Sequence, residues 1–295
     1  MTNTAIGMPA PPASSMALQL GGLYAIWLRE VKRAIRDRGQ LIGGVSRPLL
    51  WVLIMGIGLN PYFRGEIYGE VRFVVPYTYL QFIFPAVILL NIMYTSVQAA
   101  VSTIWDREFG FLKEVLVAPV PRWAVAVGKI LGGATVAMTQ AVILIALAPF
   151  IGVGLSLLVA LEMLAVCFLI SLAITGLGVF IAVPMRSMQG FQMVMNFLVM
   201  PLYFLSGAMF PVSSAPTWMR ILMSIDPLTY GVDGLRIIVF SATTTSGSDV
   251  PALAETARAS GLVRWDLGFD LAIMTAVSAL IVTLAAARFS RTSNV

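Results

Sequence analysis

The sequence predicts an all-α, polytopic integral membrane protein with six transmembrane helices. The chain of 295 residues is 59% hydrophobic and only 11% charged, far below the quarter of charged residues that is typical of soluble domains. Its mean hydropathy is +0.90. Six segments also reach the length of about 20 apolar residues that a helix needs to cross a bilayer.

Two segments precede the first predicted span. Residues 1–18 are rich in Pro, Ala, Ser and Thr and lack the apolar core of a signal peptide, so we expect a flexible cytosolic tail. An amphipathic helix at the membrane interface is predicted over 19–40, because apolar residues recur there at helical spacing and basic residues take the other face. The residues singled out on it are Trp27, Arg29, Lys32, Arg33 and Arg36.

The transmembrane domain is predicted over 41–290. Its six spans lie near 41–60, 77–101, 122–149, 157–184, 190–210 and 267–288. With six spans, most of the 19 Lys and Arg residues fall on one side of the membrane. Loops on the cytosolic side are enriched in these residues, so we expect a multi-pass protein of the cell (inner or plasma) membrane with both termini in the cytoplasm.

The segment 211–266 between the last two spans is expected on the outer face. Its apolar stretches Trp218–Ser224 and Leu228–Phe240 are too short to cross the bilayer. They predict a re-entrant or interfacial pair of helices, followed by an exposed loop over Ser241–Ser260. The alternative is a small cap that lies on the membrane surface.

Several classes of chemistry are excluded by residue content. The chain has no His and a single cysteine, Cys167, within an apolar run, which argues against zinc, thiol and His-dependent catalysis. The net charge of +5 is explained by basic residues beside the spans, so no nucleic-acid partner is expected. Glu162 is the main ionisable candidate inside a span, and a position at the headgroups explains it better than a proton pathway.

A charged, amphipathic island separates the second span from the third, over Asp106–Arg122. Its apolar residues follow helical spacing between charged flanks, and Pro119 and Pro121 end the helix. Such a helix fits a groove on a partner or rests on lipid, and the pattern alone leaves both readings open. No phosphate-binding loop of the form G-x-x-x-x-G-K-[ST] occurs in the chain, so we expect another subunit to supply the energy for transport.

Three patches resemble the permease subunits of ATP-binding-cassette (ABC) exporters of the type-2 family, which includes drug, lipid and polysaccharide exporters. The patch Trp105–Arg122 is similar to the family's pattern R-E-x-G-T-L-E-x-L-L-V-S-P-V-x-R. Pro201–Pro211 resembles P-x-x-F-L-S-G-x-x-F-P, and Asp226–Arg236 resembles N-P-L-T-Y-x-x-D-x-x-R. Together with the six-span plan, the resemblance extends over residues 19–290.

The resemblance implies a coupling helix over 105–118 that docks on the ATPase, with the helix over 19–38 as the connecting helix beside it. The coupling residues are Asp106, Arg107, Glu108, Phe109, Gly110, Phe111, Leu112, Lys113 and Glu114. Two permeases, either two copies or a paralogous pair, are expected to pair around a central pathway with two ABC ATPase subunits. ATP and Mg would bind to those partner subunits, with no cofactor, metal or catalytic residue in this chain. Phe111, Lys113 and Asp226 depart from the family pattern, which usually has Thr, Glu and Asn there.

Residues of the outer patches are expected at a gate or in the re-entrant segment. They are Ser206, Gly207, Pro211, Asp226, Pro227, Tyr230, Asp233 and Arg236. The first three end the fifth span, either at a gate or as a plain helix terminus. Asp226 is predicted to cap a helix with Pro227 at its first position. Asp233 and Arg236 are three positions apart and are predicted to form a structural pair on one face.

The sequence thus predicts the permease of an ATP-driven exporter for a hydrophobic or amphipathic cargo, such as a drug-like compound, a lipid or a lipid-linked molecule. Export of a polysaccharide or glycolipid is the alternative within the same class. A proton-coupled secondary transporter that uses Glu162 and a membrane-embedded lipid enzyme are more distant alternatives.

Overall fold

The computed structural model describes residues 16–63, 78–109, 120–243, 253–259 and 261–291. Within these ranges the α-helices are α1 Met16–Arg36, α2 Arg38–Phe63, α3 Tyr79–Glu108, α4 Arg122–Ile145, α5 Leu157–Ala182, α6 Met188–Leu205, α7 Thr217–Ile225, α8 Pro227–Ala242, α9 Leu253–Ala259 and α10 Leu267–Arg291. Two short 3-10 helices occupy Ala148–Ile151 and Val212–Ser214. The predicted tail up to residue 15, positions 110–118 of the predicted coupling helix, and positions 244–252 and 260 of the loop predicted over 241–260 lie outside the described residues. The remainder of that predicted loop is largely helical, in the end of α8 and in α9.

The predicted all-helical, membrane-embedded fold class is confirmed. In the described part of the chain, five helices are long and apolar enough to cross a membrane: α3, α4, α5, α6 and α10. Helix α2 has 26 residues, and Ile42–Ile54 within it is a shorter apolar segment. Helix α2 is therefore the candidate for the remaining predicted span.

Local capping explains where several helices begin. Thr78 and Gln81 form a capping box at the start of α3, in which Thr78 N–H donates to Gln81 Oε1 at 2.9 Å and Gln81 N–H donates to Thr78 Oγ1 at 3.3 Å. Ser156 and Ser187 accept backbone N–H groups at the starts of α5 and α6. Each cap satisfies a donor that has no partner inside its own helix.

Helix α3 lies at the centre of the bundle and packs on α4, α5 and α2. Helix α10 packs on α5, and α1 packs along α4. Helix α6 is the peripheral span, because its buried residues Phe191, Met195, Val199 and Tyr203 form a single stripe at intervals of four. Several other apolar residues of α6, including Met193 and Phe197, are exposed, as is the polar Asn196.

The short helices α7 and α8 differ in burial. Only Met223 of α7 is buried, whereas α8 is buried along most of its length against α10, α5 and α3. A Cβ at Gly231 would lie 2.8 Å from Ile170, so the first turn of α8 contacts α5 about 20 Å from the start of that helix. Thr243 forms an isolated antiparallel bridge with Val153, just before α5 begins. Helix α8 therefore runs antiparallel to about half of α5, inside the bundle.

Candidate functional site

Four charged side chains meet where α3 ends, and we call them the charge cluster: Arg29, Glu30, Asp106 and Lys129. Lys129 Nζ donates to Glu30 Oε1 at 3.2 Å and to Ser102 Oγ at 3.3 Å. It also donates to Oδ2 of Asp106. Arg29 donates to Asp106 Oδ1 at 3.2 Å and to Glu30 Oε1 at 2.6 Å. The charge cluster therefore joins α1, α3 and α4 at one point.

Most of the charge cluster is shielded from solvent. The Lys129 side chain is only 2% exposed, and those of Glu30 and Asp106 are each 8% exposed. Two cations balance two anions, so the group is neutral as a whole. Removing one partner from such a buried group leaves an uncompensated charge and typically costs about 3–5 kcal/mol. Loss of any one of these four side chains would therefore strongly destabilise the junction of the three helices.

Glycines on α4 allow α1 to approach closely enough for these contacts. Gly128 and Gly132 are four positions apart and share one face of α4. A Cβ at Gly132 would lie 2.6 Å from Glu30 Cβ, and one at Gly128 would lie 3.0 Å from the carbonyl oxygen of Leu23. Small residues at this spacing are typical of close helix packing in membranes. A larger side chain at either position would separate α1 from α4.

The last turn of α3 is also tied to the connection between α5 and α6. Arg107 Nη1 donates to the carbonyl oxygen of Met185 at 2.9 Å, and its Nη2 donates to that of Val183 at 2.5 Å. Trp105 Nε1 donates to Met188 Sδ at 2.8 Å. A displacement of the end of α3 would therefore be transmitted to α1, α4, α5 and α6.

Some of the residues predicted for coupling have partners on neighbouring helices, and others are exposed. Trp105–Glu108 form the last turn of α3 rather than the start of a separate helix, so the predicted helix boundary at 105 is wrong. Asp106 and Arg107 turn inward, because their partners lie on neighbouring helices. Glu108 is exposed, and Phe109 is 82% exposed. Gly110, Phe111, Leu112, Lys113 and Glu114 lie outside the described residues.

The predicted connecting helix corresponds to α1. Some of its basic residues are exposed, and others contact α3. Lys32 and Arg36 are exposed as the amphipathic pattern predicted. Arg29 joins the charge cluster, and the Arg33 guanidinium stacks 4.3 Å above the Trp105 ring. Trp27 Nε1 donates to Thr135 Oγ1 of α4 at 3.0 Å. Two of the four basic residues on the predicted polar face therefore have partners on α3.

At the opposite end of the bundle, the start of α8 follows the sequence prediction. Asp226 Oδ1 accepts the N–H of Leu228 at 2.9 Å, and Pro227 occupies the first helical position. Tyr230 Oη donates to the carbonyl oxygen of Ser224 at 2.9 Å. The Tyr230 ring also packs on Trp265, with 4.6 Å between the ring centroids. These contacts hold α7, α8 and the start of α10 together.

The turn after α6 is closed by a glycine and a buried arginine. Gly207 has φ +72°, a conformation that strongly favours glycine. Ser206 Oγ donates to the carbonyl oxygen of Tyr203 at 2.7 Å, and Pro211 precedes the 3-10 turn at Val212. Arg236 Nη2 donates to the carbonyl oxygen of Gly207 at 2.7 Å. The end of α6 is therefore fixed to α8.

Asp233 and Arg236 bind backbone groups of different segments. The Asp233 carboxylate accepts the N–H groups of Arg264 and Trp265, each at 3.0 Å. Arg236 also donates to the carbonyl oxygen of Ala208 at 3.1 Å and stacks 4.7 Å above the Phe82 ring of α3. Their hydrogen bonds connect α8 to the approach to α10 and to the end of α6, rather than joining the two side chains to each other as predicted.

A prediction concerns Asp226, where burial raises the pKa to about 7 although the hydrogen bond from Leu228 favours the ionised form. Because the folded state binds the proton more tightly, stability falls as the pH rises from about 4 to about 7. Asp226→Asn keeps the cap without a charge, so its thermal midpoint at pH 8 is expected to exceed that of the wild type. The difference should be smaller at pH 5.

Asp226→Ala serves as the matched variant, because it removes the charge and the cap together. We expect it to be less stable than Asp226→Asn by about 1 kcal/mol at both pH values. An Asn variant that unfolds below the wild type at pH 8 would show that the buried carboxylate is favourable as an ion.

Sequence reasoning missed Lys129 and Glu30 as members of a functional cluster. Lys129 was counted only as a basic residue near the cytosolic face, and its place inside an apolar helix was the available signal. Glu30 lies on α1 among basic residues and gave no comparable signal. Among the described residues, no group of three acidic or Cys side chains is arranged to hold a metal ion.

Comparison with known proteins gives one family match. The family model described as "ABC-2 type transporter" matches residues 22–240. The matched region begins within α1 and ends within α8, so it includes the charge cluster and the turn closed by Arg236.

Similar proteins come from Cyanophora paradoxa and from Escherichia coli. The chain is 28% identical over 205 residues to "Putative transport permease ycf38" of Cyanophora paradoxa, which covers 67% of each chain. It is 27% identical over 228 residues to "Inner membrane transport permease YadH" of Escherichia coli K12, covering 75% of this chain and 84% of that protein. It is 27% identical over 163 residues to "Probable multidrug ABC transporter permease YbhR" of the same strain, covering 52% of this chain and 42% of that protein. All three relatives are named as permeases.

Proposed function

The chain belongs to the ABC-2 type transporter family, and we propose that it is the permease of an ATP-driven exporter for a hydrophobic or amphipathic cargo. The membership predicted from the three sequence patches is confirmed. The multi-pass membrane character follows from the five apolar helices and from the similarity to an inner-membrane permease. In this proposal the end of the bundle that carries the charge cluster faces the cytoplasm together with both termini, as the distribution of Lys and Arg favours.

The charge cluster is the observation that carries the proposal. A transporter driven by a separate motor needs a rigid connection between the surface that the motor moves and the spans that open and close. Asp106 connects the last turn of α3 to Arg29 of α1 and Lys129 of α4. Phe109 follows directly and is exposed. Force applied near Phe109 would therefore move three helices together.

We place an ABC ATPase at this surface. The chain has no phosphate-binding loop of its own, so ATP and Mg bind to the partner, and the chain itself does not hydrolyse ATP. Phe109 is an exposed aromatic residue next to the charged Glu108, a combination suited to a groove with a polar rim. Two ATPase subunits and two permeases complete the proposed exporter.

The cargo path is proposed to lie between the two permeases, along the exposed apolar face of α6. That face carries Met193 and Phe197, which are flexible or large enough to contact varied apolar surfaces. Helix α8 serves in this proposal as a re-entrant helix at the outer end. Its burial against α3, α5 and α10 supports a position within the membrane rather than on top of it.

The test of this proposal uses Phe109→Asp and Glu108→Lys in the tagged chain, purified from its native membranes. The wild type is expected to retain an ABC ATPase and permease-dependent ATP hydrolysis. Phe109→Asp should reduce the recovered ATPase at least tenfold, because a charged group would then occupy an apolar contact. Glu108→Lys should weaken the association with the ATPase through charge reversal at the same surface.

Phe150→Asp is the matched control, since Phe150 is 85% exposed at the opposite end of the bundle. This variant should insert into the membrane and retain the ATPase. If Phe109→Asp and Glu108→Lys both keep full ATPase association and ATP-dependent export, the coupling surface has been placed incorrectly.

A further inference from the structure

A cavity of about 420 Å³ lies beside the charge cluster, between α1, α2, α3 and α4. This volume falls within the range of small-molecule sites, about 300–1,000 Å³. We call it the α1–α4 cavity. The polar and charged residues that matter for its chemistry are Arg33, Arg47, Asn91, Thr95, Gln98 and Ser102.

One wall of the cavity is a polar stripe on α3. Asn91, Thr95, Gln98 and Ser102 follow each other at intervals of four, three and four, which places them on one face of the helix. The stripe runs from the interior of this span towards Asp106 of the charge cluster. Polar side chains inside a span that face a cavity are typical of a ligand path.

Thr95 and Ser102 of the stripe have hydrogen-bond partners within the protein, but Asn91 has an unpaired donor. Its side chain is buried, with 7% of the residue exposed. Its Nδ2 atom has no hydrogen-bond partner among the described residues. A buried amide donor without a partner is costly. An acceptor atom from a ligand in the cavity would remove that cost.

Two arginines give the cavity positive charge. Arg47 lies inside α2 and stacks 4.9 Å above the Tyr94 ring, and Arg33 stacks on Trp105. Among the residues that the structure describes, neither guanidinium has a carboxylate partner. Glu30 is already bound to Arg29 and Lys129, and Asp37 is the other carboxylate at the cavity. The two guanidinium groups without a carboxylate partner therefore favour an anion that accepts several hydrogen bonds.

A narrow apolar cleft of about 10 Å³, room for about one water molecule, adjoins the cavity between α2 and α3. Arg47, Asn91 and Tyr94 line both spaces, which shows that the two are adjacent. The cleft is lined further by Pro48, Trp51, Val87, Leu90 and Tyr203. The cleft is too small to enclose a tail, but it places an apolar edge beside the cavity, next to the exposed apolar side chains Leu50, Leu53 and Ile54 of α2. This arrangement favours a ligand with an anionic end in the cavity and an apolar tail that extends along the surface of α2.

We propose that the α1–α4 cavity binds the phosphate-bearing headgroup of an anionic amphiphile from the inner leaflet, with its tail leaving past the apolar cleft along the exposed surface of α2. Arg33 and Arg47 contact the phosphate oxygens, and Asn91 Nδ2 donates to an acceptor of the headgroup. The assignment of this amphiphile as cargo rests on the proposed function. Free phosphate would use the arginines but would leave the exposed apolar surface of α2 without a ligand.

Binding is tested on the purified full chain in detergent by native mass spectrometry, with phosphatidylglycerol as the anionic probe. The wild type is expected to bind it at least tenfold more tightly than phosphatidylcholine. The double substitution Arg33→Gln/Arg47→Gln and the single substitution Asn91→Leu should each weaken phosphatidylglycerol binding, the double one at least tenfold. Arg186→Gln is the control, because Arg186 is an exposed arginine outside the cavity.

Three results would overturn the inference. One is equal binding of both lipids by the wild type, and another is an equal loss in Arg186→Gln, since either indicates non-specific attraction. The third is displacement of the lipid by millimolar inorganic phosphate, which would identify a site for the free anion. Thermal unfolding of each variant separates a lost site from a misfolded chain.

Association with the ATPase distinguishes this inference from the proposed function. If the wild type retains the ATPase but does not prefer phosphatidylglycerol, the inference fails and the proposed function stands. If it binds the lipid at the cavity but retains no ATPase, the site stands and its role in ATP-driven export fails. Stimulation of ATP hydrolysis by phosphatidylglycerol, lost in the double variant, would support both.

Discussion

Replacing Lys129 by methionine is expected to lower the free energy of unfolding by about 3–5 kcal/mol and to abolish permease-dependent ATP hydrolysis. Lys129 is the most deeply buried cation of the charge cluster and donates to both carboxylates. Without it, Glu30 and Asp106 share the single guanidinium of Arg29 in a region with little solvent. The link between α3 and α4 is lost at the same time.

The second substitution in this experiment is the double variant Lys129→Met/Asp106→Asn. It removes one charge of each sign and leaves Arg29 paired with Glu30, so it should recover much of the lost stability. We do not expect ATP hydrolysis to recover, since α3 and α4 remain uncoupled. Thermal unfolding and ATPase assays of the purified complex measure the two effects.

Arg186→Gln serves as the control for a lost surface cation and should match the wild type in both assays. Unchanged stability of Lys129→Met would show that the cluster contributes no net pairing energy. A double variant with full ATP hydrolysis would show that the cluster does not transmit the motion.

Replacing Arg236 by methionine is also expected to have a large effect, lowering the free energy of unfolding by about 2–6 kcal/mol. Two buried carbonyl groups after α6 would lose their charged donor, at about 1–3 kcal/mol for each unsatisfied group. The contact with the Phe82 ring would also change. We expect the connection from α6 to α8 to loosen while the ATPase stays bound, because the change lies at the opposite end of the bundle from Phe109.

This prediction is measured by thermal unfolding and by limited proteolysis near Val212–Ser214. Arg220→Met is the control, since Arg220 is exposed on α7 of the same segment. The stability of Arg236→Lys should lie between those of the wild type and Arg236→Met, because an ammonium group reaches one carbonyl group more readily than two. If Arg236→Met and Arg220→Met are equally stable, Arg236 does not hold the turn closed.

The helix positions followed closely from local sequence patterns. Predicted spans at 122–149, 157–184 and 267–288 compare with α4 Arg122–Ile145, α5 Leu157–Ala182 and α10 Leu267–Arg291. Hydropathy over about 20 residues depends only on neighbours in the chain. The same holds for the Asp226 cap and for Pro227 after it, because both act within one turn of their own helix.

The end of α3 shows where such patterns fail. The charged residues from Asp106 onward indicated that the span stops before them, yet α3 continues to Glu108. Asp106 can remain in the helix because Arg29 and Lys129 neutralise it from 77 and 23 positions away. No window of local sequence contains both partners.

Local pattern was therefore sufficient to establish the membrane class, the approximate bounds of α4, α5 and α10, the Asp226 cap and the family-like patches of this protein. The structure was needed to show which charges face each other, how α8 enters the bundle, and that Arg47 and Asn91 line one cavity. The physical reason is that pairing and burial depend on which helix faces approach. Here that approach is governed by Gly128 and Gly132, whose missing side chains allow α1 to lie against α4.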